Sequence, residues 1–156
     1  SNTIIKFKGN DNIKYSIYIV NSTLNSIVNK SPLDEYLNDN LDERKIVIIK
    51  NPAKRALKQL YNYENCEFFF VREMLEDFPS KFFIPLHILL DDDEKELLSE
   101  RLEVKNFSRI RQYDPMVRYY NGKINDVFKI IRKNPTTMEE VAYRIVIKDT
   151  IDSMFI

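Results

Sequence analysis

Asp114-Pro115-Met116-Val117-Arg118-Tyr119-Tyr120 and, shortly after it, Val127-Phe128-Lys129-Ile130-Ile131-Arg132 govern how the rest of the chain is read. An aspartate before a proline marks a helix start. The carboxylate caps orphan N–H groups, and proline at the first helical position gives up an N–H that would be unpaired anyway. The run from Val127 to Arg132 is β-branched and apolar enough for a strand. Val141 to Ile147 supplies a second strand, joined to it by Lys133 to Glu140. Upstream, Phe82-Phe83-Ile84-Pro85-Leu86-His87-Ile88-Leu89-Leu90 is extended, and Asp93 to Leu102 is helical with leucines at helical spacing. The acids Asp91-Asp92-Asp93-Glu94 before that helix read as its cap, favoured by the positive end of the helix dipole, rather than as a metal site.

Pro79-Ser80 is the boundary to an N-terminal half that alternates strands and helices. Ile4 to Phe7 and Ile13 to Val20 are strands around the turn Gly9-Asn10-Asp11-Asn12, with Ile13, Tyr15, Ile17 and Ile19 on one face. Leu24 to Asn29 is ambiguous between helix and strand. Pro32 to Leu41 reads as a helix and Lys45 to Lys50 as a buried strand. Asn51 then caps a helix with Pro52 in its first position and Ala53, Ala56, Leu57 and Leu60 on its apolar face. Glu67 to Val71 is a further strand, followed by a helical turn from Arg72 to Phe78. The expected division is 1–80, 81–147 and a tail, 148–156.

Composition closes off much chemistry. The chain has 156 residues, 44% hydrophobic and 31% charged, with a formal net charge of zero, so bulk attraction to nucleic acid is not implied. No apolar run approaches the ~20 residues of a membrane helix. Ser1-Asn2-Thr3 lacks the pattern of a secretory leader, and the start reads as a shortened N-terminus. The lone Cys66 cannot form an internal disulfide, which fits a reducing compartment. Gly9 and Gly122 are the only glycines, so neither a P-loop nor a dinucleotide fingerprint can be built. One histidine and one cysteine fall short of a structural zinc site. His87 would have to be the base of any catalytic triad, but its apolar run reads as holding a packed or solvent-edge histidine. Pro32-Leu33-Asp34 with Glu43-Arg44-Lys45 superficially matches a metal-dependent nuclease pattern, which needs two carboxylates on Mg²⁺ and a lysine near the attacking water. Ser31-Pro32-Leu33-Asp34 equally spells a helix cap, and the cap is the reading adopted.

Charge is locally uneven. Arg44 to Lys58 holds six basic residues and no acid, Asp91 to Glu103 seven acids against two bases, and Lys105 to Lys133 eight bases against two acids. Solvated faces account for most such runs. Lys54 and Arg55 stand out, because cations in a helix's first turn oppose its dipole and make more sense beside a phosphate. Lys50, Lys54, Arg55 and Lys58 are therefore the candidate DNA contacts.

Taken together, Ile84-Pro85-Leu86-His87-Ile88-Leu89, the helix from Glu94 to Leu102, Ser108-Arg109-Ile110, Asp114 to Tyr120, Val127 to Arg132 and Tyr143-Arg144-Ile145-Val146 resemble one family in order and spacing. It is the assembly domain of the fifth subunit of nuclear DNA-dependent RNA polymerases, a family that includes the corresponding small subunit of the archaeal enzyme. That family runs Val-Pro-x-His, a helix, Leu-Pro-Arg-Ile, Asp-Pro-x-x-Arg-Tyr-Tyr, Val-Val-Lys-Ile-Ile-Arg and Tyr-Arg. Ile46 to Leu60 resembles, more weakly, the strand and helix of the eukaryotic jaw domain. Asn121 and Asn125 replace the glycines of a family turn, and Met138 replaces a hairpin glycine; asparagine tolerates positive φ better than most residues.

The resemblance implies an α+β fold: a nuclease-like α/β jaw domain lacking catalytic residues, then a small α+β assembly domain with a mixed sheet. It implies a non-catalytic transcription subunit that docks on the largest polymerase subunit and lines the channel for downstream duplex DNA. Other polymerase subunits would be partners, with no cofactor, metal, membrane or small-molecule substrate. Arg109, Asp114, Arg118, Tyr119 and Tyr120 are the docking candidates, since arginine and tyrosine dominate interface hot spots; equally, Asp114 can serve only as a cap and one tyrosine as core. The departures point to a divergent viral or protist member, placed in the nucleus, or in the virion and host cytoplasm if viral. The alternative is a free-standing nucleic-acid-binding domain.

Overall fold

Residues 3–81, 84–136 and 138–155 are described by the computed structural model, and each of its two units, Ser1–Glu76 and Asp77–Ile156, is built on its own four-stranded sheet. In the first unit the order is β1 (Thr3–Lys8), β2 (Lys14–Leu24), β3 (Arg44–Pro52), β4 (Cys66–Phe70). β1 is antiparallel to β2, while β2, β3 and β4 run parallel. Parallel neighbours need crossovers, and α1 (Pro32–Asn38) and α2 (Lys54–Leu60) provide them. Two right-handed crossovers stepping the same way along a sheet place both helices on one face. That face buries Ser16, Tyr18, Val20, Lys45, Val47, Ile49, Phe68 and Phe70, and the helices bury Leu33, Leu37, Ala56, Leu57 and Leu60.

The alternation expected in β2 is present, with Tyr15, Ile17 and Ile19 on one face, but the buried row is Ser16, Tyr18 and Val20. The crossovers decide which face of a period-2 strand is covered, and here they cover the less aliphatic one. Tyr15, Ile17, Ile19, Ile46, Ile48 and Phe69 stay half-buried on the opposite face, with Ile5 and Phe7 exposed beside them. The β1–β2 turn needs Gly9: a Cβ there would stand 2.5 Å from Asp11 Oδ1 and 2.8 Å from the Tyr15 ring. The ambiguous segment from Leu24 to Asn29 is anchored by Gln59, which bonds the Ile27 N–H at 2.8 Å and its carbonyl at 3.0 Å.

Among the boundaries that differ from expectation, two are set by partners distant in sequence. α1 stops at Asn38 rather than Leu41, because the Lys45 ammonium, 1% exposed as a residue, donates to Leu37 O at 2.7 Å and to Asp39 O. A lysine arriving from the next strand thus satisfies carbonyls that a continuing helix would have used. Asn51 caps no helix. Asn51 and Pro52 extend β3 beside Thr23 and Leu24, the Ala53 N–H donates to Leu24 O at 2.8 Å, and α2 starts at Lys54, two residues later than expected, with Ala53 as its N-cap. The helical turn expected from Arg72 to Phe78 is the four-residue α3 (Val71–Met74), and a 3-10 turn opens at Phe78.

The second unit has a mixed sheet of order β5 (Leu86–Leu89), β7 (Val127–Asn134), β8 (Met138–Ile147), β6 (Ser108–Arg111). β5 with β7 and β7 with β8 are antiparallel; β6 is parallel to β8. An α+β fold with a mixed sheet is therefore what forms, although β6 was not foreseen as a strand. Phe82 and Phe83, expected to be extended, lie outside the described residues. β7 and β8 run further into the expected connection than Arg132 and Val141, where Arg132 faces Glu140 and Lys133 faces Glu139 across the strands. Asp91 caps α4 (Asp92–Arg101) reciprocally with Glu94, at 2.8 and 3.1 Å. α4 buries none of its residues; Leu97 is 60% exposed. The core is Ile110, Val117, Phe128, Ile130 and Val146, with Leu89 and Tyr120 packed against it. Among the described residues no helix is long and apolar enough to cross a membrane.

Cys66 reports on the first unit. Burial pushes its thiol up to about 12, so the thiolate that reacts with disulfide reagents is scarce at pH 8. Labelling of the native chain at pH 8 should be at least about 100-fold slower than in urea, measured by absorbance after addition of an aromatic disulfide. Equal rates would mean that β4 is not packed as described.

Candidate functional site

The basic helix α2 turns Ala56, Leu57 and Leu60 inward, which leaves Lys54, Arg55 and Lys58 exposed; Lys50 is exposed on β3. Lys54 and Lys58 are one turn apart on the same face. The N-cap Ala53 contributes no side-chain hydrogen bond, and the first turn contains no acid.

The carboxylates of the nuclease look-alike are each engaged elsewhere. Asp34 accepts from Tyr63 Oη at 2.6 Å and from the Lys30 N–H at 2.7 Å, with Asn38 Nδ2 at 3.1 Å. Tyr63, then Lys30, hold its carboxyl below the usual carboxylate range, and burial with Asp34 pushes the Tyr63 phenol up to about 12. Because the Asp34 value is depressed on folding, its contribution is present above the ordinary carboxylate range and is lost as pH falls through the folded value. Ser31 caps α1 by accepting the Asp34 N–H at 3.3 Å, with Pro32 at the helix start. Glu43 pairs with Lys6 at 3.2 Å, and Lys45 is the buried cap already described. Among the described residues no group of three His, Cys, Asp or Glu is placed to hold a metal.

The docking candidates lie on β6, in the turn after it and on α5 (Pro115–Tyr119) with its C-cap. The turn is tight, with Asp114 N donating to Arg111 O at 2.9 Å. Asp114 Oδ1 accepts the Met116 N–H at 2.9 Å, so this residue is the cap that Asp-Pro spelled out. Tyr120 is the core tyrosine: its ring lies edge-on to Phe128 at 6.0 Å, and burial raises its phenol. Tyr119, 56% exposed and edge-on to Tyr120 at 5.0 Å, is displayed. Arg109 is exposed on β6 and Arg118 half-buried on α5. His87 is packed, with Nδ1 2.8 Å from Pro85 O and its ring edge-on to Phe128 at 6.1 Å. Arg111 and Gln112, which share the corner, were not singled out in the sequence. They stand between Arg109 and Asp114 in sequence, and what distinguishes them is their contacts with Asp149, far along the chain, which nothing local announces.

The roles separate by stability. Replacing Asp114 with Ala should cost about 1 kcal/mol, as for a lost cap, and Tyr120→Ala about 2–3 kcal/mol. Tyr119→Ala should stay within about 0.5 kcal/mol. Urea unfolding followed by circular dichroism gives the order, and a Tyr119 variant as damaging as the Tyr120 one would reverse the assignment.

Comparison with known proteins gives consistent matches. Residues 79–146 match the family described as RNA polymerase Rpb5, C-terminal domain. The chain is 26% identical over 135 residues to "DNA-directed RNA polymerase subunit 5" of Acanthamoeba polyphaga mimivirus, covering 85% of this chain and 65% of that protein. It is 36% identical over 66 residues to "DNA-directed RNA polymerase subunit Rpo5" of Methanothrix thermoacetophila, covering 41% of this chain and 85% of the archaeal one. It is 32% identical over 100 residues to "DNA-directed RNA polymerases IV and V subunit 5B" of Arabidopsis thaliana, 63% of this chain and 45% of the plant protein. The chain thus spans just under two thirds of the mimivirus subunit and under half of the plant one.

Proposed function

The chain belongs to the RNA polymerase subunit 5 family, and from that premise we propose that it is a non-catalytic structural subunit of a multisubunit DNA-dependent RNA polymerase. The second unit docks on the largest polymerase subunit, and the first lies along downstream duplex DNA. The observation that carries the docking half is the β6–α5 corner, inside the matched residues, which displays Arg109 and Tyr119 over a core that includes Tyr120. Large side chains that bury area and still hydrogen-bond are the usual anchors of an interface. The DNA half rests on Lys50, Lys54, Arg55 and Lys58, all exposed. Chemistry on the nucleic acid is assigned to other subunits, since Asp34, Glu43 and Lys45 are occupied in holding the first unit together.

Arg109→Ala with Tyr119→Ala should weaken binding to the purified largest subunit by about 2–4 kcal/mol, as for central anchors, while circular dichroism stays that of the wild type. Undiminished binding would remove these residues from the interface. Co-purification of the tagged wild-type chain with very large subunits distinguishes this function from a free-standing nucleic-acid binder.

Phosphate contacts are independent of sequence and release counterions, so they disappear with salt. Lys54→Glu with Lys58→Glu should leave assembly intact and lower DNA retention by the elongating polymerase at moderate salt. The measurement is retention against salt concentration, where two lost phosphate contacts should flatten the logarithmic slope by about 2. Superimposable curves would make this an ordinary solvated face.

A further inference from the structure

Residues 148–155 lie beyond the family match, which ends at residue 146, yet they fold back onto the β6–α5 corner. Gln112, buried in the turn between β6 and α5, donates its backbone N–H to Ile147 O at 3.0 Å and its side-chain Nε2 to Asp149 O at 3.2 Å. Arg111 Nη1 stands 3.7 Å from Asp149 Oδ2. Ile151 is 6% exposed and so is committed to the packed interior. The segment also holds its own shape. Asp149 Oδ1 accepts the Thr150 N–H at 2.7 Å, and Thr150 O accepts both the N–H and the hydroxyl of Ser153, at 3.1 and 2.8 Å. Residues Ile151–Phe155 form a 3-10 turn.

β6 is an element that needs such support. Among the described residues it is an edge strand of four residues, laddered to β8 alone. Short edge strands open easily, because few buried contacts and few bonds hold them. β6 nevertheless carries Arg109 and leads through one tight turn to Arg118 and Tyr119. An interface whose anchors sit on a loosely held corner loses affinity to the ordering it must undergo on binding.

We propose that residues 148–155 are a clip that positions the β6–α5 corner for its protein partner, with Gln112, Asp149 and Ile151 as the positioning residues. The clip rests on the docking function above and names what holds that surface in shape before binding. It reaches the corner through a side-chain amide and an ion pair and is itself held by one buried isoleucine, so it can be loosened without touching Arg109, Arg118 or Tyr119.

The test uses the full chain, a version ending at Ile147, and the variants Ile151→Ala and Ile151→Val. Amide exchange at residues 108–112 is followed by mass spectrometry, binding to the purified largest polymerase subunit by titration, and folding by circular dichroism. The shortened chain and Ile151→Ala should exchange at least about tenfold faster at residues 110–112 and bind at least about tenfold more weakly. Exchange in β2 and β3 should be unaltered, and Ile151→Val should restore both readings. If the shortened chain does not fold, Ile151→Ala carries the comparison. Unaltered exchange in these variants overturns the clip, and faster exchange with undiminished affinity overturns its positioning role. Failure of the wild-type chain to bind is a distinct result: it removes the docking function, and the positioning role with it.

Discussion

A chain with two glycines has to turn its corners with side chains that resist turning. Among the described residues seven take positive φ, none of them glycine: Asn12, Lys30, Asn40, Asn65, Asn121, Asn125 and Met138. Each left-handed residue with a Cβ costs roughly 1–2 kcal/mol, and asparagine bears it best because its short amide can bond the neighbouring backbone. The asparagines stand where the sheets are closed. Asn12 ends the β1–β2 turn, Asn40 follows α1, Asn65 precedes β4, and Asn121 and Asn125 bracket the return from α5 to β7. Several anchor the strands they release: Asn65 O accepts from Lys45 N at 2.9 Å, and Asn125 N donates to Val146 O at 2.9 Å. Both sheets depend on this substitution of amide for glycine.

Much of the fold could be read from these signals and from caps. Ser31-Pro32, Asp91 with Glu94, and Asp114-Pro115 each open the helix they announce, because capping is a bond between residues two or three apart. What could not be read depends on distant partners. The end of α1 is set by the ammonium of Lys45, one strand later, and burial lowers that group's pKa. The extension of β3 through Pro52 depends on Leu24. β6 is Ser-Arg-Ile-Arg, with one apolar residue, and exists as a strand only because β8 offers a parallel edge.

The candidate surfaces were legible as sets of residues and illegible as roles. Tyr119 and Tyr120 are identical in type and adjacent, and only the position of Phe128 decides which one is core. Asp114, Arg118 and Arg109 were grouped by resemblance, whereas in three dimensions the first holds the helix and the last faces outward. The nuclease look-alike shows the opposite effect. Its spacing is present, but Asp34 is tied to Tyr63 and Glu43 to Lys6, so proximity in sequence produced no shared site.

The face of β1–β4 opposite the two helices has one further consequence. Ile5 and Phe7 are exposed there beside the half-buried Ile17, Ile19, Ile46 and Phe69. Attraction between apolar surfaces weakens on cooling and is strengthened by salts excluded from protein surfaces. Self-association through that face is therefore weakest in cold, dilute buffer and is promoted by sulfate.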